Sequence, residues 1–389
     1  MKRLTLLLLG FALGVSATAS AQGLTMQMSN GWAFQFSGNV NAFWVFSKVN
    51  NSGPANSSVR TGLLPAFATF EARGKEAGMN LAVHFGFAPQ IQNAGVHDQF
   101  GTQIDMRQVY LTIGMKNGSQ ILAGRELALF SRQNILNDMT LFGVGAVGIG
   151  GGQAGGTTAG RIGYGYLYPN FNAQVTYSTK PGQAQLSIGA FQPSIILGSA
   201  YNVTKIPRLE TEFTYNQKSG KNSYMFWVGG LWQSTSNAAT GGNTVSSFGG
   251  TAGVRAGMSD LSVVVNGYIG KGLGTTFTFS AIGGGGVAAN GTDLRKSDGG
   301  IVQVTYKVGP KTTVGGSYGF SRLVNDQTGD GNTAVRSNVY SYTAGIYHQW
   351  TKSLKLVFEG TQEGTTGVIG GLAPGTKQID ISGGFMLFY

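Results

Sequence analysis

Apolar and polar residues alternate with a period of two along most of the chain, and residues 32–46 set the pattern. Trp32, Phe34, Phe36, Val40, Ala42, Trp44 and Phe46 fall on one parity; Gln35, Ser37, Asn39, Asn41 and Ser47 fall on the other. Side chains alternate across an extended strand, so this segment has one apolar face and one polar face. It is longer than the usual strand of about five to six residues. It fits a tilted strand that crosses a bilayer and continues beyond it, with aromatic residues at both interfaces.

The alternation recurs. Leu64, Ala66, Ala68, Phe70 and Ala72 form an outward set with Thr69, Glu71 and Arg73 inward. Met79, Leu81, Val83, Phe85 and Phe87 form the next, with Asn80 and His84 inward. Further strands are predicted over residues 104–115, 120–126, 160–168, 172–180, 206–217, 223–234, 248–258, 261–271, 299–308, 312–322, 337–350, 353–363 and 376–389. No segment sustains a helical period. Short turn-rich connections (75–78, 116–119, 258–260, 309–311, 351–353) alternate with long Gly/Asn/Ser/Thr loops near 49–58, 91–103, 127–159, 235–247, 272–297, 323–336 and 364–375. Short turns at one end and long loops at the other are the layout of an all-β, transmembrane antiparallel β-barrel. The count is about 16 strands, with a long third loop. Residues 184–192 upset the even parity and are expected in an extended strand or a long fourth loop. An extra hairpin near 194–204 would raise the count to about 18.

Both ends of the chain fit this layout. Phe385, Leu387 and Tyr389 share one face of the last strand, which would be an aggregation-prone edge in water. In a bilayer that strand pairs with the first, so these residues are expected to close the barrel against residues 32–46. Lys2 and Arg3 precede an apolar run over residues 4–15, and Ala19-Ser20-Ala21 forms an A-x-A site. Residues 1–21 are therefore expected to be a cleaved export signal and 22–389 the barrel domain. The apolar run is shorter than the roughly 20 residues a membrane-crossing helix needs.

Composition supports strands over helices as the membrane element. The chain has 64 Gly, 23 Phe, 15 Tyr and no Cys, with a mean hydropathy of +0.01, as lipid-out and polar-in positions would average. No disulfide can staple the fold. The formal net charge is +11, but the basic residues are scattered singly along strands. That distribution argues against a nucleic-acid partner and places charge around a lumen.

Specific segments then resemble the Gram-negative general porin family. Arg107-Gln108-Val109-Tyr110-Leu111-Thr112-Ile113-Gly114, a tight turn and Ile121-Leu122-Ala123-Gly124-Arg125 are similar to that family's strand pair before the third loop. The stretch from Gly160-Arg161-Ile162-Gly163-Tyr164 to Val175-Thr176-Tyr177 looks like its strand–turn–strand after that loop. Ala344-Gly345-Ile346-Tyr347-His348-Gln349-Trp350 resembles the penultimate hairpin. The resemblance implies a 16-stranded barrel, usually a homotrimer, whose third loop folds into the lumen as a constriction facing a wall of arginines.

Carried over by position, Arg107, Arg125 and Arg161 match wall arginines and fall on the inward parity. A further family arginine aligns with Thr69, so that rung is missing, with Arg73 inward nearby. In the third loop, residues 137–143 resemble the constriction segment, yet Asp138 is its only acid, and residues 143–156 are nearly all Gly, Ala and Val. Inward charges then include Arg107, Arg125, Arg161, Arg255 and Lys307 against Glu71, Asp105, Asp138, Glu210 and Glu212, with His84 also facing the lumen. The basic constriction predicts a weak anion preference, since wall cations act strongly in a narrow pore.

The implied function is passive diffusion of small hydrophilic solutes and ions through the outer membrane, with membrane lipid and the outer-membrane assembly machinery as partners. No catalytic group, metal or cofactor is predicted. The alternatives are a substrate-selective anion or nutrient channel, an adhesin, or a barrel enzyme. The Gly143-Val144-Gly145-Ala146-Val147-Gly148 run fits a dinucleotide-binding pattern but lacks the strand-to-helix context. Asn325-Asp326-Gln327-Thr328-Gly329-Asp330-Gly331-Asn332 spaces oxygen ligands as calcium loops do, without the closing bidentate Glu. His84, His97 and His348 are too dispersed for a metal site.

Overall fold

The computed structural model describes residues 23–29, 31–50, 54–91, 104–151, 156–194, 201–237, 242–276, 293–324, 336–367 and 373–389. The expected export signal, His97 and the oxygen-rich stretch at 325–332 lie outside the described residues.

Alternating sequence becomes sixteen wall strands. These are β1 (Ala33–Val49), β2 (Phe67–Glu76), β3 (Met79–Pro89), β4 (Ile104–Gly114), β5 (Gln120–Leu127), β6 (Phe171–Ser178), β7 (Ala184–Phe191) and β8 (Arg208–Ser219). The second half comprises β9 (Asn222–Asn237), β10 (Thr244–Met258), β11 (Leu261–Lys271), β12 (Lys296–Lys307), β13 (Thr312–Val324), β14 (Arg336–Gln349), β15 (Leu354–Thr365) and β16 (Lys377–Phe388). Each pairs antiparallel with the next, and β16 returns to β1 in a register running from Gln378↔Val49 to Phe388↔Asn39. The sheet is a closed 16-stranded antiparallel β-barrel. Closure removes the free edge, so the wall's backbone groups bond to neighbouring strands, as a bilayer requires.

Three short strands extend existing lanes without adding crossings. Leu24–Gln27 pairs with the first half of β1, beyond the end of β16. Asn56–Arg60 pairs with the second half of β1, in line with β2. Tyr201–Val203 pairs with the end of β9, in line with β8.

The outer face is apolar. Val40, Trp44, Phe385 and Leu387 stand exposed there, and Phe36 packs ring to ring with Tyr389 across the closing seam and with Phe70 of β2, with centroids 5.1 and 4.9 Å apart. Tyr389 extends the seam by exchanging backbone hydrogen bonds with Gly38, at 3.0 and 3.1 Å. No described helix is long and apolar enough to cross a membrane; the strands are the crossing elements.

Two expectations are corrected. Residues 160–168 are not a wall strand, and 184–191 are: β6 pairs directly with β5 on one side and with β7 on the other. Exchanging one segment for the other restores even parity, and Tyr201–Val203 provides no extra hairpin, so the count is 16 rather than 18. Gly-Tyr alternation over 160–168 mimics a strand. Positive φ at Gly160, Gly163 and Gly165 (57°, 79° and 143°) breaks the extended path, and both parities are buried.

Candidate functional site: a lumen narrowed by an inserted segment

Between β5 and β6, residues 128–151 and 156–170 turn into the barrel. They carry a short helix α1 (Arg132–Leu136) and a 3-10 turn at Met139–Phe142, and most of them are buried against the inner wall. Apolar side chains form part of the packing: Leu127, Ile135, Leu141, Ile162 and Tyr166 meet Leu63 and Ile301. Buried backbone in this segment needs partners, and the wall strands supply them.

The glycine-rich run 143–148 shows how. Val144 N–H and Gly145 N–H donate to Glu359 Oε2 at 2.8 and 2.7 Å, and the Tyr347 hydroxyl donates to its Oε1 at 2.6 Å. Val147 N–H and Gly148 N–H donate to Glu363 Oε1 at 2.8 and 3.0 Å, while the Tyr164 hydroxyl donates to its Oε2. Gly150 N–H donates to Gln378 Oε1 at 2.8 Å. Successive backbone donors around an anion are what such a glycine pattern offers phosphate elsewhere; here the anions are the wall's own carboxylates. Glycine is needed for the approach. Gly145 has φ +59°, and a Cβ there would lie 2.6 Å from Gly160 Cα.

Cations tie down other stretches. Arg60, beside β1, donates to the carbonyls of Gly151, Gly156 and Thr157 at 3.1–3.2 Å. Arg161, fully buried, reaches the far wall and donates to the Ser317 and Ser341 carbonyls, each at 2.7 Å. Gln303 accepts from Met139 N–H at 2.7 Å, and Asn134 Oδ1 accepts from the Trp227 indole at 2.8 Å. Arg132 pairs with Glu212 at 2.6 Å, and Glu210 accepts from Phe130 N–H at 2.8 Å while pairing with Arg208.

The wall over β2–β5 keeps polar side chains partly accessible on its lumen face. Thr69, Glu71, Arg73 and His84 share that face. Glu71 pairs with Arg73 and accepts from His84 Nδ1 at 3.1 Å. His84 stacks on Tyr110 with centroids 4.7 Å apart, and Gln108 links His84 to Glu126 at 3.4 and 2.7 Å. A bulge in β4 puts both Arg107 and Gln108 inside. Arg107 pairs with Asp105 at 2.9 Å and contacts the Tyr168 hydroxyl of the inserted segment at 3.4 Å. Arg255 and Lys307 lie on the inward parity of β10 and β12, with no ion pair among the described residues.

Three sequence assignments change. Arg125 sits opposite Val109 and Ala173 and is exposed, while its neighbour Glu126 joins the lumen network; the inward parity assigned to Arg125 is off by one. Arg161 belongs to the inserted segment rather than the wall. Asp138 is 5% exposed and caps the 3-10 turn, accepting from Thr140 N–H at 2.9 Å and from the Tyr166 hydroxyl at 2.8 Å. Burial pushes its carboxyl above the usual carboxylate range, against the pull of Arg161 and these hydrogen bonds. It presents no open charge to a passing ion.

Sequence reasoning missed Glu126, Glu359 and Glu363. The last two alternate with Thr361 on the inward parity of β15, which was a readable signal for lumen carboxylates. Their role in holding the glycine-rich run required the tertiary placement of that run.

No family model matches the sequence, and neither does any curated protein. The fold is similar to that of the outer membrane channel DcaP of Acinetobacter baumannii, with a TM-score of 0.67 at 14% identity over 94% of this chain and 99% of that one. An anion-selective porin from Comamonas acidovorans gives 0.65 at 14% identity, over 92% of this chain and 100% of that one. The trimer form of OmpT, an outer membrane protein of Vibrio cholerae, gives 0.54 at 13% identity, over 92% and 100%. At these identities the likeness is one of fold. This chain has the closed transmembrane barrel seen in outer-membrane porins and channels.

Proposed function

We propose that the chain is a porin-like channel of the Gram-negative outer membrane. On this reading it is a passive, water-filled path for small hydrophilic solutes and ions, exported by its leader, inserted by the assembly machinery and working as a homotrimer. One observation carries the reading: a closed wall, apolar outside and polar inside, is narrowed by a segment hydrogen-bonded to that wall on several sides. The barrel neighbours include channels and a trimer form, which supports the same reading. A barrel enzyme or adhesin gains no comparable support. Among the described residues the side-chain hydrogen-bond partners of His84 are Glu71 and Gln108, with no serine or cysteine nucleophile.

We infer a weak anion preference, on a basis different from the constriction arginines of the sequence. Arg73 and Arg107 are paired with carboxylates, and Glu359 and Glu363 are occupied by backbone N–H groups. Arg255 and Lys307 are left as lumen charges without ion pairs among the described residues. Cationic side chains without partners favour anions in a narrow pore. Reversal potentials across planar bilayers in a potassium chloride gradient test this. The expected shift is toward the chloride equilibrium potential, and a shift toward potassium contradicts it.

A further inference from the structure

Beneath the inserted segment, on the side of the short turns, the inner wall carries an apolar patch around one lysine. Phe142, at the end of the 3-10 turn, meets Phe388 of β16 edge to face, with ring centroids 5.9 Å apart. Lys355, two residues into β15 and 9% exposed, holds its Nζ 4.1 Å from the centroid of the Phe142 ring. Met139, a half-buried side chain of the inserted segment, packs on the same cluster as Phe142 and Phe388. Among the described residues Lys355 forms no ion pair.

Both features are unfavourable in a polar, water-filled lumen. An ammonium taken from water without a counter-anion is destabilised, and the ring face recovers only part of that loss. Half-exposed apolar side chains clustered inside a pore also depart from the polar lining that a diffusion channel presents, and such patches mark binding surfaces. Elsewhere in the lumen Arg73, Arg107, Arg132 and Arg208 already hold carboxylates. Lys355 is the described lumen cation that combines a missing ion pair with an aromatic face.

We propose that this patch is a subsite for aromatic carboxylates: the carboxylate meets Lys355, and the planar apolar body lies against Phe142, Phe388 and Met139. The proposal rests on the channel reading, since the ligand arrives through the lumen, and it names a solute class for that channel. A few well-placed polar groups in a largely apolar lining are the usual make-up of a small-molecule site.

Benzoate and acetate, which share a charge and differ in the ring, are the probes. Each is titrated from the turn side while current through the purified protein is recorded in planar bilayers. Benzoate should half-block the current at a concentration at least about tenfold below acetate. Lys355→Met and Phe142→Leu should each raise the benzoate value about tenfold, and Lys352→Gln in the exposed turn should leave it unchanged. Equal block by the two anions, or an unchanged value in Lys355→Met, overturns the subsite. Calorimetric titration of benzoate into detergent-purified protein separates the two claims. Binding that requires Lys355 in a protein without conductance upholds the subsite and contradicts the channel. Conductance without Lys355-dependent binding does the reverse.

Discussion

At the scale of single residues, the inserted segment is held by charge meeting backbone dipoles. Glu359 and Glu363 together accept four backbone N–H groups from residues 144–148 and two tyrosine hydroxyls. Hydrogen bonds to charged groups contribute about 1.5–3 kcal/mol each, more than neutral ones. Replacing both glutamates by alanine should release this part of the segment, since buried donors would be left without acceptors. Larger and noisier single-channel conductance is the expected readout, with a lower temperature of heat unfolding in detergent. Wild-type conductance in the double variant would show that the run is held by packing instead. These residues also explain what the sequence could reveal. Glu71, His84 and Asp105 follow the alternation of their own strands. Arg125, expected inward from alternation, shares the outward parity of Ile121 and Ala123, because its register sets it opposite Val109 and Ala173. Asp138 and Arg161 lie in a segment whose path is set by contacts distant in sequence.

At the scale of elements, the closing seam is the most legible part of the chain. The last strand and the first alternate in phase, and their pairing sets Phe385 opposite Ala42 and Leu387 opposite Val40. Removing residues 385–389 deletes four of those register pairs, Phe385↔Ala42, Met386↔Asn41, Leu387↔Val40 and Phe388↔Asn39, together with the Tyr389–Gly38 bonds. An unpaired edge inside a bilayer costs several kcal/mol per exposed backbone group. The truncated chain should therefore fail to form a heat-resistant barrel on a semi-native gel. A truncated protein that still migrates as a folded barrel would place closure elsewhere. Residues 160–168 illustrate the opposite case. Their period of two is genuine, but period two states only that neighbours point to opposite sides. Whether those sides are lipid and water, or protein on both, is decided by tertiary placement.

At the scale of the whole molecule, sixteen strands fix a wall wide enough to accept a folded segment and still leave part of its inner face open. The segment lies against the inner faces of β8–β10 and β12–β16, while β2–β5 keep partly accessible polar side chains. Layout, closure and the inward or outward sense of most strands were readable from alternation, because a two-sided environment repeats along every strand. The anchoring of the insert was not, because its partners come from strands up to the opposite end of the chain. Recording from the purified protein in planar bilayers tests the central claim most directly. Ohmic current steps that appear on insertion and close in groups of three are predicted; heat-modifiable, membrane-inserted protein that passes no current would contradict the account.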